Sequence, residues 1–136
     1  MELKIPNMHE QKRIVYKKST QQAIDILTLN LDAPVLPSQE EIDEGQHSNK
    51  HLLRKHEGWE APHPDIVGAY FRHFQGHFQE YNTDKKLAQL LEVSSDRRIR
   101  DFKQGVRKVP YDIWRRFLVL TGRAPQDVLK VMAFLG

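Results

Sequence analysis

The sequence predicts a mainly α-helical protein with one compact domain and an appended segment. Apolar residues recur at spacings of three and four through the C-terminal half, and prolines and glycines stand at the ends of these runs. The length of 136 residues and the 39% share of hydrophobic residues suffice for one folded core. About five helices fit into residues 63–136, which leaves no room there for a sheet.

The composition excludes several classes of function. The chain has no Cys, which excludes disulfides, Cys-ligated zinc, iron–sulfur clusters and Cys nucleophiles. Its apolar runs reach about five residues, whereas a membrane-spanning helix needs about 20, and the N-terminus lacks a secretory signal. We therefore expect a soluble, cytoplasmic protein. Phosphate-binding glycine motifs are absent from the sequence, so we expect no enzyme, no catalytic residues and no cofactor.

A proline-rich stretch divides the chain into two parts. Four of the seven prolines lie between residues 34 and 64, and prolines interrupt helices and strands. We therefore predict an N-terminal extension over residues 1–62 and a domain over residues 63–136. The charge changes in the same region, because residues 1–83 carry nine Lys and Arg against twelve acids and residues 84–136 carry twelve against six.

The N-terminal extension is the less regular part. Residues 12–17 favour one short strand, since they include two β-branched residues and a tyrosine. A helix capped by Ser19 or Thr20 is predicted next. Ser38 and Glu41 have the spacing of a capping box, which predicts one more helix. The extension is too short for a typical effector-binding domain, so we expect it to dimerise, to brace the helical core or to bind a protein partner.

An aromatic helix begins the second part. Pro64 suits the first helical position. The buried stripe of this helix is Val67, Phe71, Phe74, Phe78 and Tyr81. On its flank, His73, His77 and Glu80 have a spacing that can bind zinc, with surface histidines as the alternative. Gly76 weakens the helix between them, so we expect no metal site.

Two short helices are predicted next, over residues 84–91 and 95–104, joined by a tight turn. Residues 97–108 hold six basic residues and one acid, a balance typical of a surface that binds nucleic acid. Ile99 and Phe102 share one side of the second helix, so this side faces the core. A helix pair of this kind can place its second helix in the major groove of DNA.

The opposite side of the second helix carries the candidate base contacts. Arg suits guanine and Gln suits adenine. The candidate base contacts are Arg97, Arg100, Gln104 and Asp96. The candidate phosphate contacts are Lys85, Lys86, Ser95, Arg98, Lys103, Arg107 and Lys108. We also expect Asp101 to pair with Arg97 across one helical turn; the alternative interpretation of the whole region is an ordinary helical hairpin with a solvated basic face.

Two further helices complete the prediction. Pro110 begins one that buries Trp114 and ends at Gly122. Pro125 begins the last helix. Its predicted core residues are Val128, Leu129, Met132 and Leu135.

Residues 83–123 resemble the Cro/repressor-like helix-turn-helix family, also called XRE. The resemblance is carried by Leu87-Ala88-Gln89-Leu90-Leu91, Val93-Ser94, Ile99, Phe102, Gly105 and Trp114, and with the flanking helices it extends over about residues 65–130. It implies that Arg97, Arg100 and Gln104 read bases in the major groove. The sequence departs from the family at Glu92, where a glycine is usual, and its turn is longer by one residue. The recognition helix therefore begins at Ser95, Asp96 or Arg97.

These observations predict a transcriptional regulator, a repressor or an activator, that binds specific double-stranded DNA. One recognition helix reads too few base pairs to select a genomic site, so we expect a homodimer on an inverted repeat, with half-sites roughly 34–36 Å apart. The dimer contact would come from residues 1–62 or from the last helix. The alternative is an antitoxin or an interaction adaptor that keeps the fold and binds a protein through the extension.

Overall fold

Helices form all the regular structure between residues 7 and 135, the part of the chain that this computed structural model describes. The α-helices are α1 (Met8–Asn30), α2 (Pro64–His77), α3 (Asp84–Leu91), α4 (Asp96–Gln104) and α5 (Tyr111–Leu120). Short 3-10 turns lie at Glu44–Gln46, Lys50–Leu52, Lys55–Glu57 and Gln79–Tyr81. The prediction of a mainly α-helical fold is confirmed. None of the helices between residues 7 and 135 combines the length and apolar character needed to cross a lipid bilayer.

The chain divides into two compact units. One comprises Met1–Pro37 and Leu129–Gly136, and the other comprises Ser38–Val128. This division differs from the predicted boundary between residues 62 and 63. Residues 38–62 belong to the same unit as the helices that follow them.

The first unit is built on α1. A capping box begins the helix: Asn7 Oδ1 accepts from the backbone N–H of Glu10 at 2.9 Å, and the Glu10 carboxylate accepts from Asn7 N–H at 3.3 Å. The strand predicted over residues 12–17 is wrong, since this segment is an uninterrupted part of α1. The described residues offer no strand to pair with it, and a lone strand leaves its backbone groups unpaired.

The predicted helix beginning at Pro125 does not form either. Residues 125–135 have no regular structure, and Val128, Leu129, Met132 and Leu135 are 74–98% exposed. These four side chains were predicted to face the core. The rings of Tyr70 and Trp114 are in contact with the ring of His51, and the guanidinium of Arg123 lies 3.9 Å from the ring centre of Tyr70, so this side of the core is covered without a helix at residues 125–135.

Trp114 on α5 is the centre of the second unit. Its side chain is fully buried. The rings of Tyr70 and Phe71 on α2 lie 5.8 and 5.9 Å from it, and that of Phe117 lies 5.5 Å away. The buried indole N–H donates to Nδ1 of His51 at 3.1 Å, so its hydrogen-bonding capacity is satisfied.

Side chains of residues 38–62 join this core. Gln39 is buried and its carboxamide organises the loop: Oε1 accepts from the N–H groups of Glu41 and Ile42, and Nε2 donates to the carbonyl of Ile42 and to the Glu44 carboxylate. The Tyr70 hydroxyl donates to Glu44. The predicted capping box at Ser38 and Glu41 therefore begins no α-helix, because Gln39 holds the backbone in a non-helical loop.

Truncation of Trp114 tests the centre of this core. Trp114→Ala removes a fully buried ring and the donor to His51. We expect a loss of about 3–5 kcal/mol in the free energy of unfolding, a large part of the roughly 5–15 kcal/mol typical of a folded domain. Urea unfolding measures this loss, and an unchanged midpoint would contradict the packing of α5.

His51 makes the stability depend on pH. Burial lowers the pKa of His51, more than nearby Glu44 raises it. Protonation therefore favours the unfolded chain: the stability is complete above the unfolded pKa of about 6.5 and falls as the pH drops from there toward the folded pKa. We expect the free energy of unfolding to decrease more between about pH 7.5 and 5.5 in the wild type than in His51→Gln. Equal decreases in the two proteins would contradict the assignment of a neutral, buried imidazole.

Candidate nucleic-acid interface

The helices α3 and α4 form a helix-turn-helix pair. Thr83 caps α3 by accepting from Lys86 N–H at 3.2 Å, and Ser95 caps α4 by accepting from Arg98 N–H at 3.4 Å. Asp96 is thus the first residue of α4, which settles where the second helix begins. The connecting turn has Glu92 in the left-handed conformation, with φ of 58°.

The inner side of α4 is fixed by apolar contacts. Ile99 and Phe102 are 0% and 1% exposed, as their spacing predicts, and belong to one core with Leu87 and Ala88 of α3. Gly105 ends α4 with φ of 78°, where a Cβ would stand 2.7 Å from Pro64. These contacts set the rotation of α4 about its axis, and they determine which side chains it exposes.

The outer side of α4 exposes three of the four predicted base contacts. Arg97, Arg100 and Gln104 are exposed, on the side opposite Ile99 and Phe102. Among the described residues, the side chains of Arg97 and Gln104 have no hydrogen bond or ion pair with another residue. They are available to an external partner.

Arg100 and Asp96 are paired with each other in the free protein. Nη1 of Arg100 donates to Oδ2 of Asp96 at 3.0 Å across one helical turn. This hydrogen bond lowers the pKa of Asp96 and keeps it charged. The pair is half exposed, and Arg100 has further N–H groups to offer. The expected pair of Asp101 with Arg97 is not observed, because Asp101 lies 3.5 Å from Nε of Arg107.

Lys103 was predicted to contact a DNA phosphate, but it is bound within the protein. Its ammonium lies 2.7 Å from Oδ1 of Asp84 and 2.8 Å from Oε1 of Gln75. The side chain is only 16% exposed. Lys103 therefore ties α4 to the start of α3 and to α2, and its charge is already neutralised by Asp84. The spacing of α4 alone could not reveal this, since the partners lie 19 and 28 residues away.

The other predicted phosphate contacts belong to α3, to α4 and its N-cap, and to the segment that follows α4. Lys85, Lys86, Arg107 and Lys108 are exposed, and Ser95 and Arg98 are partly exposed. The guanidinium of Arg98 lies 5.5 Å from the ring centre of Phe102, which holds its stem against the helix. Sequence reasoning missed one more cation near the turn. Arg116 of α5 donates to the Leu90 carbonyl at 3.0 Å and lies 3.8 Å from the Glu92 carboxylate.

The histidines make one cluster that the sequence did not predict. Ligand atoms of His47, His63 and Asp65 lie within 4.8 Å of one another. Nδ1 of His63, however, accepts from Asp65 N–H at 3.1 Å and so caps α2. A metal ion at Nδ1 would replace this cap. The zinc spacing at His73, His77 and Glu80 is broken, because α2 ends at His77.

No family model, curated protein or solved structure matches the chain. The resemblance of residues 83–123 to Cro/repressor-like proteins therefore depends on the residues quoted for it.

The turn offers a test of the local structure. A left-handed conformation costs a residue with a Cβ roughly 1–2 kcal/mol, and glycine avoids this cost while losing some chain entropy. We therefore expect Glu92→Gly to raise the free energy of unfolding by about 0.5–1 kcal/mol. Glu92→Ala is the matched control, since it loses the same exposed contact with Arg116 but keeps the Cβ. An equal gain in both variants would assign the effect to charge rather than to backbone conformation.

Proposed function

We propose that the protein is a regulator of transcription that binds specific double-stranded DNA, with α4 as its recognition helix. The observation that carries this proposal is that α4 has a buried apolar side and an exposed side with polar and basic residues. Its inner side is fixed by Ile99 and Phe102, while Arg97 and Gln104 project outward without partners among the described residues. A rigid helix with free Arg and Gln side chains is suited to reading base edges in a major groove.

The charges around α4 support the same proposal. Lys85 and Lys86 stand in the first turn of α3, and Arg107 and Lys108 follow the C-terminus of α4. Cations on either side of a recognition helix can contact phosphates and fix its register on the duplex. Contact with DNA would break the Arg100–Asp96 pair or use the remaining donors of Arg100. In this proposal the protein works in the cytoplasm, where it would block a promoter or contact RNA polymerase.

The second candidate function is that of an antitoxin or interaction adaptor. It is favoured by α1, a helix of 23 residues in which none is buried. The two functions respond differently to salt. DNA affinity that depends on phosphate contacts falls steeply with added salt, whereas an apolar protein contact does not weaken in this way.

Arg97→Ala is the cleanest test of base reading, because no ion pair in the free protein changes with it. We expect a loss of about 1–3 kcal/mol on the preferred site and relaxed preference at one base pair. Lys86→Ala should weaken all DNA sequences about equally and reduce the salt slope by about 1. Titrations of labelled duplexes at several salt concentrations measure both effects.

Lys55→Ala is the matched control, since it removes one exposed positive charge from the loop before α2. Its effect on affinity should be small and independent of sequence. An Arg97→Ala protein that keeps its full sequence preference would refute the assignment of α4 as the reading helix. A wild-type protein whose binding to every duplex is undetectable at low salt would favour the adaptor.

A further inference from the structure

α1 has two apolar sides, and only one of them is covered within its unit. The ring of Phe134 meets that of Tyr16 edge-on at 4.9 Å, and Arg13 lies 5.6 Å from the centre of Phe134. On this side Tyr16 and Leu27 are 39% and 37% exposed. The C-terminal residues therefore cover this side of the helix in part.

The other side of α1 has the pattern of a helix-pairing seam. Residues spaced alternately by four and three along it are Met8, Lys12, Val15, Ser19, Gln22, Ile26 and Leu29. This alternation is the heptad spacing that keeps one side of a helix against a partner helix. Its four apolar members are 56–73% exposed, although exposed apolar residues in a seam cost free energy in water. The seam lacks a partner within the described residues.

The charges beside the seam favour one orientation of a partner helix. The first half of α1 carries Lys12, Arg13, Lys17 and Lys18 against one acid, Glu10, whereas residues 19–32 carry Asp25 and Asp32 and no Lys or Arg. An identical helix in the antiparallel orientation brings each basic half against an acidic half. A parallel copy would place Lys12 against Lys12 in the seam, which is repulsive, and would leave Lys18 without an acidic partner.

The amount of apolar surface agrees with a self-associating unit. Among the described residues of the first unit, ten apolar side chains are more than half exposed. At roughly 60–120 Å² for each fully exposed side chain they offer on the order of 600 Å². A dimer of standard size buries about 800 Å² per partner, of which about 65% is apolar in homodimers. Four of these ten side chains form the apolar part of the α1 seam, and the other six lie outside α1, so a dimer of standard size would also use apolar residues around the helix.

We propose that the occupant of the α1 seam is the α1 of a second copy of this chain, paired antiparallel about a two-fold axis near Thr20 and Gln21. In this register Val15 packs on the second copy's Ile26, and Ser19 packs on the second copy's Gln22. Lys18 then lies beside the second copy's Asp25, and the symmetry repeats every contact. The pairing deepens the proposed function, which needs two reading helices, but its argument depends on the first unit alone.

A charge exchange tests both the partner and the orientation. The mass of the free protein is measured without DNA, by sedimentation equilibrium over a range of concentrations. We expect a dimer for the wild type and a monomer for Val15→Asp, which places a carboxylate in the seam. Lys18→Asp should weaken dimerisation by about tenfold, because two attractive contacts become repulsive. The double variant Lys18→Asp with Asp25→Lys restores both contacts and should restore the dimer.

Lys17→Asp is the matched control, since it makes the same charge change one residue outside the seam. It should leave the dimer unchanged, and circular dichroism should give the same helical content in every variant. A wild type that is monomeric at all concentrations would overturn the proposal, whether or not it binds anionic vesicles or another protein through α1. A dimer insensitive to Val15→Asp would place the contact elsewhere, and failure of the double variant to recover would exclude the antiparallel register.

The outcome of the dimerisation experiment is independent of the proposed DNA binding. A wild-type dimer with all the expected responses but without affinity for any duplex would refute the proposed function and leave the pairing of α1 intact. A monomer that binds DNA specifically would do the reverse.

Discussion

The packing of Trp114 between α2 and the loop before it is the interaction on which the second unit depends. An indole buried without a hydrogen-bond acceptor would cost about 1–3 kcal/mol, and His51 supplies that acceptor from 63 residues away. The contact fixes α5 against α2, and it also holds residues 38–62 on the core. α2 and α3 in turn support α4. The geometry of the exposed arginines therefore depends on a ring that lies on another helix.

The backbone of α4 in the candidate interface is held in place by contacts with the rest of its unit. α4 has only nine residues and would be a marginal helix by itself. Its caps at Ser95 and Gly105, the burial of Phe102 and the link from Lys103 to Asp84 fix it from both ends and from beneath. A backbone that is held in place before binding loses less entropy when it binds. The exposed side chains of α4 therefore start from fixed backbone positions.

The parts of the fold that sequence reasoning predicted correctly are those with local causes. Helical spacing and end signals locate α2 to α5, and the same spacing identifies Ile99 and Phe102 as buried. The errors have long-range causes. The place of residues 38–62 depends on His51 meeting Trp114, and the core rings that His51 and Arg123 contact need no helix after Pro125 to cover them. Spacing along one chain segment carries no information about such long-range contacts.

The same distinction between local and long-range causes applies to the candidate site. Exposure of Arg97, Arg100 and Gln104 could be predicted from the turn angle of an α-helix, because it depends on α4 alone. The engagement of Lys103 could not, since Gln75 and Asp84 belong to other helices.

Selection of bound sequences from a random pool of duplex DNA is the decisive measurement, because it requires both binding and discrimination. We expect an enriched motif for the wild-type protein, with two related half-sites in inverted orientation, and a changed preference within each half-site for Arg97→Ala. A pool that remains random after repeated rounds at low salt would contradict sequence-specific DNA binding by α4.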